Sequence, residues 1–205
     1  MFCRLCLALL SMMFASQCAG AAECPIQRTD DIVLLRAKSG ERQVSFCIHR
    51  GAPPNLIETR DADGKLMLSS QYDGMKALLT LNVSAGVKVA FDYQNVTGNP
   101  SHVGVGEMAT FRQITMGSNN PPAQVEVRGV SASQRTIDAC TFDVIRLQRV
   151  NRNPDGSGME FDIFYAPELG WPLESSGRLL NGAPASQTVV HHIASAAEAQ
   201  IECNR

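Results

Sequence analysis

The chain has 205 residues, 44% of them hydrophobic and 19% charged, with a formal net charge of −2. That length suits one domain able to bury roughly 70% of the surface its unfolded chain exposes. Acids and bases are interspersed rather than blocked, which argues against nucleic acid or an anionic membrane surface as a partner.

Met1-Phe2-Cys3-Arg4 supplies a short basic start, residues 5–14 an apolar run, and Ala19-Gly20-Ala21 a small-x-small cleavage site. This is the layout of a secretory signal peptide over residues 1–21, cut before Ala22, with a single β-rich domain over 22–205. The apolar run is shorter than the ~20 residues a membrane span needs, and no later run approaches that length. Cleavage before Cys18, as in a bacterial lipoprotein, would place Gln17 where a small residue is wanted. Loss of Arg4 with the leader lowers the 18 bases to 17 against 20 acids, a net charge of −3 on the mature chain. Of the 7 cysteines, Cys24, Cys47, Cys140 and Cys203 remain. Four scattered cysteines in an exported chain read as two disulfides rather than as zinc ligands or a Cys-x-x-Cys redox centre. Cys24–Cys47 with Cys140–Cys203 ties each terminus to a β segment close in sequence. Cys24–Cys203 with Cys47–Cys140 is the competing arrangement, because chain ends often lie together.

Apolar β-branched and aromatic runs then recur between Gly, Pro, Asn and Asp clusters, the pattern of a mainly β chain. The spacing predicts strands over 31–37 and 43–49, joined at Lys38-Ser39-Gly40-Glu41. Pro53-Pro54 interrupts the sheet. Hairpins follow over 56–59 and 66–69, turning at Asp61-Ala62-Asp63-Gly64, and over 77–83 and 87–93, turning at Ser84-Ala85-Gly86. Residues 103–116 read as one or two strands bent at Gly104 and Gly106, and 124–130 as the next strand. Two long runs, 141–150 and 159–166, are joined by Asn153-Pro154-Asp155-Gly156, whose residues suit a tight turn. Residues 188–193 form the last predicted strand, and Ser195 with Glu198 has capping-box spacing for a short C-terminal helix. Strands joined by short turns, without helices between them, define a curved antiparallel sheet, as a half-barrel or a sandwich.

Asp138-Ala139-Cys140-Thr141-Phe142-Asp143-Val144 and Phe164-Tyr165-Ala166-Pro167-Glu168-Leu169-Gly170-Trp171-Pro172-Leu173 resemble the final hairpin of small exported bacterial proteins of unknown function. In those a strand ends in aromatic-Ala-Pro-x-Leu-Gly and returns with Pro-Leu. More distantly the hairpin is similar to the half-barrels of periplasmic lipoprotein carriers. The resemblance implies a curved sheet and carries over no functional residue.

Catalytic signals are weak. Adjacent side chains on a strand diverge, so His191 and His192 cannot share one ion there, and no metal site is expected. There is no Gly-x-Ser-x-Gly elbow and no Ser-x-x-Lys pair. Gly156-Ser157-Gly158 belongs to a turn. Asp30-Asp31 and Asp61/Asp63 flank strands or turns, where acids are commonly solvated; the second pair also lacks the remaining ligands of a calcium loop. The sequons at Asn82 and Asn95 carry weight only in a eukaryotic secreted protein. Phe161, Ile163 and Tyr165 alternate onto one face of their strand and Phe164 onto the other, which fits core packing or, on one face, an apolar groove. Phe164, Tyr165 and Trp171 are the candidate ligand-binding residues. The expectation is a non-catalytic protein of the periplasm or secreted space, binding an apolar ligand or an envelope protein, with no cofactor. The rival is a hydrolase of envelope polymers using scattered Asp, Glu and His groups.

Overall fold

Among the described residues, alternating apolar runs give twelve strands of seven to fifteen residues, followed by one helix. The computed structural model describes residues 23–27, 30–51 and 54–204. The expected leader, residues 1–21 with Cys18, lies outside that range. In chain order the strands are β1 (Ile32–Ser39), β2 (Arg42–His49), β3 (Asn55–Asp61), β4 (Leu66–Asp73), β5 (Lys76–Asn82) and β6 (Val87–Thr97). Then come β7 (Met108–Thr115), β8 (Ala123–Ile137), β9 (Cys140–Arg152), β10 (Gly158–Ala166), β11 (Trp171–Leu179) and β12 (Pro184–Ile193), followed by α1 (Ala196–Cys203). Each strand pairs antiparallel with its sequence neighbours, and β1 pairs with β12 to close a barrel.

Closure overturns the half-barrel and the sandwich. The β1–β12 seam sets Leu35 opposite Ile193 and Ser39 opposite Thr188, so neither strand is left with an unpaired edge. The seam joins residues at opposite ends of the chain, which local turn signals cannot reveal. Three strands also differ from expectation. Residues 171–179 form β11, where the sequence pattern predicts no strand. β8 runs on to Ile137, and only 108–115 of the predicted 103–116 is strand. The intervening loop lies across β8 at Gly129, where an added Cβ would meet the Gly104 carbonyl oxygen at 1.9 Å.

Eight strands make a barrel that side chains can just fill, so twelve enclose more than one layer can occupy. The inward side chains accordingly form two clusters. One gathers Val33, Leu35, Phe46, Ile48 and Ile57 with Leu173, Val190 and Ile193. The other gathers Ala109, Phe111, Val125, Val127, Leu147 and Ile163, with Met75 and Val103 from the loops. The β8–β9 hairpin runs beyond the wall and sends Cys140, Phe142 and Val144 into the first cluster. At its tip Asp138 accepts a hydrogen bond from the Ile193 amide at 2.8 Å and faces His192 Nδ1 at 2.9 Å.

The disulfides are Cys24–Cys140 and Cys47–Cys203, so both pairings expected from sequence are wrong. Phe46 and Ile48 point inward, which turns Cys47 outward. There α1 lies over the wall, its Ala199 and Cys203 packing with Leu34 and Cys47. Cys140 is carried by the protruding hairpin to the segment before β1. Proximity here follows strand face and hairpin length rather than sequence distance. The helix is held further by Arg36 to Glu202 at 2.7 Å. The Arg60 guanidinium donates to the Cys203 carbonyl at 3.2 Å, placing a cation at the helix C-terminus. Ser195 and Glu198 form the expected capping box.

Candidate functional site

A cavity of ≈ 370 Å³ lies in the lumen at the seam between the two clusters. β10 supplies Phe161, Ile163 and Tyr165 to its wall, two residues apart, as strand alternation requires. Phe46 of β2, Tyr72 of β4 and Trp171 of β11 close the aromatic end. The Phe46 and Tyr72 rings stand 5.2 and 5.3 Å from the indole, both inclined rather than parallel to it. Further along β11, and on β12, the wall is made by small side chains, Ser175 and Thr188. Phe161 lies over a third small position, since a Cβ on Gly177 would come within 3.0 Å of its ring. The space is therefore encoded by small residues facing large ones.

The charge in the wall comes from Arg149 on β9. In β9, Leu147, Arg149 and Asn151 share the inward face, with Leu147 opposite Ile163 and Arg149 opposite Phe161. The Arg149 guanidinium donates to Asn151 Oδ1 at 2.9 Å, to the Met75 carbonyl at 3.0 Å and to Gln113 Oε1 at 3.2 Å. The Met75 carbonyl is presented by the β4–β5 turn, where Gly74 adopts φ 56° and a Cβ would meet the Ser101 backbone at 2.3 Å. Burial lowers the Arg149 pKa, opposed by the nearby hydroxyls of Tyr93 and Tyr72. Burial also raises the Tyr72 pKa, against the pull of Arg149 and Ser70. Tyr93 is likewise pushed well above the ordinary phenol range by burial. It donates to the Ala77 carbonyl and packs edge-on against Phe111. Tyr165 is raised too, first by burial and then by Asp73. All three phenols stay neutral near pH 7. Among the described residues no carboxylate and no histidine lines the cavity.

Of the candidate binding residues, Tyr165 and Trp171 line this cavity and Phe164 does not. Phe164 lies on the other face of β10, packed against the first cluster and beneath Arg135, whose guanidinium carbon lies 4.1 Å from the ring centre. Arg149, Asn151, Phe46, Tyr72 and Met75 escaped the sequence reading. For Arg149 the signal available was an arginine sharing a strand face with Ile145 and Leu147. It was obscured because β9 changes its buried side: Phe142 and Val144 are buried at one end, Leu147 at the other.

The remaining candidates are brought together with other partners. His191 meets Gln43 at 3.1 Å while His192 faces Asp138, and a bulge in the β1–β12 ladder falls at this point. Asp61 Oδ1 accepts from the Asp63 and Lys65 amides at 3.0 and 2.9 Å, so it holds a turn. Asp155 does the same for Ser157, at 2.9 Å to its amide. Among the described residues no three His, Cys, Asp or Glu side chains converge, and no helix is long and apolar enough to cross a membrane.

No protein family matches the sequence, and no curated protein does. Two solved structures are similar in fold. A Bacteroides fragilis protein, described as exported and with a YmcC-like fold, is 14% identical with a TM-score of 0.45, covering 86% of this chain and 100% of its own. A Parabacteroides distasonis protein, described as a lipoprotein, is 11% identical with a TM-score of 0.44, covering 82% and 97%.

Proposed function

We propose that this is an exported, non-catalytic protein of the cell envelope that binds a small apolar ligand inside its barrel. The leader over 1–21 and the two disulfides support an oxidising compartment outside the cytoplasm. The observation that carries the binding reading is the lumenal cavity of ≈ 370 Å³, walled by Phe46, Tyr72, Phe161, Ile163, Tyr165 and Trp171. Pockets for small molecules begin at about 300 Å³ and are lined mainly by apolar and aromatic groups with a few polar ones.

Trp171 is the one tryptophan of the chain and lines the cavity, so its fluorescence reports occupancy. Titration with 1-decanol should give a saturable change in Trp171 emission that is lost in Ser175→Phe, a variant that fills the lumen. A titration without saturation, or an unchanged signal in Ser175→Phe, would overturn the reading. Native mass spectrometry of the protein purified from its own envelope would then give the mass of the natural ligand.

A further inference from the structure

Two arginines three residues apart on β9 are treated in opposite ways. Arg146 faces outward and is paired with Asp162 at 2.8 Å. Beside it on the outer wall Arg178 pairs with Glu160 at 2.8 Å and Arg135 with Glu174 at 3.8 Å. Arg149 faces the lumen and has no carboxylate partner among the described residues. Its acceptors are an amide oxygen from each of Asn151 and Gln113 and the Met75 carbonyl, all neutral. Burying a cation without a counter-charge is costly. A purely structural tie for the Gly74–Met75 turn would need only a neutral donor. The three bonds engage one N–H on each guanidinium nitrogen, and a guanidinium has five N–H groups. One N–H on each terminal nitrogen is thus left over to donate to an anion.

We infer that Arg149 is an anion anchor, and that the cavity takes a small amphiphile with one carboxylate and an apolar body. This rests on the reading of the lumen as a ligand site and specifies the chemistry of its occupant. Asn151 stands beside the head group, and the Phe46–Tyr72–Trp171 cluster receives the far end of the body. Phe161, beside Arg149, and Tyr165, towards the aromatic end, are four residues of strand apart, about 13 Å. At roughly 30 Å³ for each water-sized unit, the volume holds about a dozen non-hydrogen atoms. A single medium-length acyl chain or an aryl acid meets that limit, and a lipid with several acyl chains does not.

The test compares decanoate with 1-decanol, which share an apolar chain and differ in charge, by Trp171 fluorescence on the mature, disulfide-bonded protein. Decanoate should bind about tenfold to a hundredfold more tightly than decanol, the range set by charge-assisted hydrogen bonds. Acidifying through the carboxylic-acid range should erase that preference. In Arg149→Met the preference for decanoate over decanol should be lost as the two affinities converge, and Arg149→Lys should keep part of the preference. If wild-type protein binds decanol and decanoate equally, the anchor is wrong while the lumenal site stands. If neither saturates, both fail. The wild-type comparison decides the matter even where Arg149→Met does not fold. In a folded Arg149→Met, an undiminished preference for decanoate would also reject the anchor.

Discussion

The two core clusters of the barrel are built by different means. The half around Phe46, Ile48 and Val190 is tied by both disulfides, covered by α1 and crossed by the β8–β9 hairpin tip. The half around Phe111, Val125 and Val127 has no covalent tie among the described residues. It depends on ladder hydrogen bonds, on loop residues Met75 and Val103 inserted as plugs, and on the Arg149 network. The cavity lies where they meet. One wall is thus stapled and the other is only packed, and local opening should draw on the packed half, since opening motions use the less protected parts of a fold.

The largest expected effect is Phe111→Ala. Phe111 is fully buried and stacks edge-on with Tyr93. Its truncation should cost about 3–5 kcal/mol in denaturant unfolding. Amide exchange should accelerate in β6–β8 and leave β1, β2 and α1 protected. Uniform loss of protection around the barrel would break the comparison and make the barrel one cooperative unit.

Next is the Cys47→Ala/Cys203→Ala pair. The bridge spans 156 residues, and losing a disulfide across so long a loop should cost about 2–5 kcal/mol. Here the loss of protection should start in α1 and the β1–β2 face beneath it, the reverse of the Phe111 pattern. Failure of the two variants to differ in the location of exchange would show that the bridge does not favour one half.

Gly129→Ala probes the packed half by overfilling rather than emptying. The new methyl would sit 1.9 Å from the Gly104 carbonyl oxygen. The loop must therefore move, taking with it the Gly106 amide that donates to the Gly129 carbonyl at 2.9 Å and the buried Val103. About 1–3 kcal/mol is expected, and thermal unfolding checks it. No loss of stability would mean that the 103–107 loop does not help seal this half.

How much of this could be read from residues alone follows the same division. Turns were legible because they are local: Lys38 to Glu41, Asp61 to Gly64 and Asn153 to Gly156 carry their own chemistry. Ser195 with Glu198 did the same for the helix. Closure of the barrel and the disulfide pairing were not, because each depends on partners far away in sequence. Nor was β11, because Glu174-Ser175-Ser176-Gly177 interrupts its apolar pattern although it pairs with its neighbours β10 and β12. The bridge at Cys47 needed knowledge that Cys203 would be carried over the outer face by α1. Tyr165 and Trp171, aromatics on or beside a strand, line the cavity, whereas Phe164 lies on the other face of β10 against the first cluster. Arg149 was missed because its strand switches buried faces, so an arginine in an alternating run looked like any exposed base.

Ser195→Ala gives the smallest effect and sharpens the comparison most finely. The Ser195 hydroxyl accepts from the Glu198 amide at 3.3 Å, and the Glu198 carboxylate accepts from the Ser195 amide at 2.9 Å. Replacing an N-cap serine by alanine costs about 1 kcal/mol. With the bridge intact, Cys203 pins the far end of an eight-residue helix to the wall. Fraying can then begin only at the N-terminal turn, and the global melting temperature should scarcely move while the Ala199 amide exchanges faster. Without the bridge the cap is the main local restraint on α1 beyond the Arg36 and Arg60 contacts. Ser195→Ala should therefore cost more in the Cys47→Ala/Cys203→Ala background than in wild type, a coupling that a double-mutant cycle measures. Strict additivity would mean that the helix N-terminus and the bridge act independently, and that the stapling of this half stops at the residues it joins.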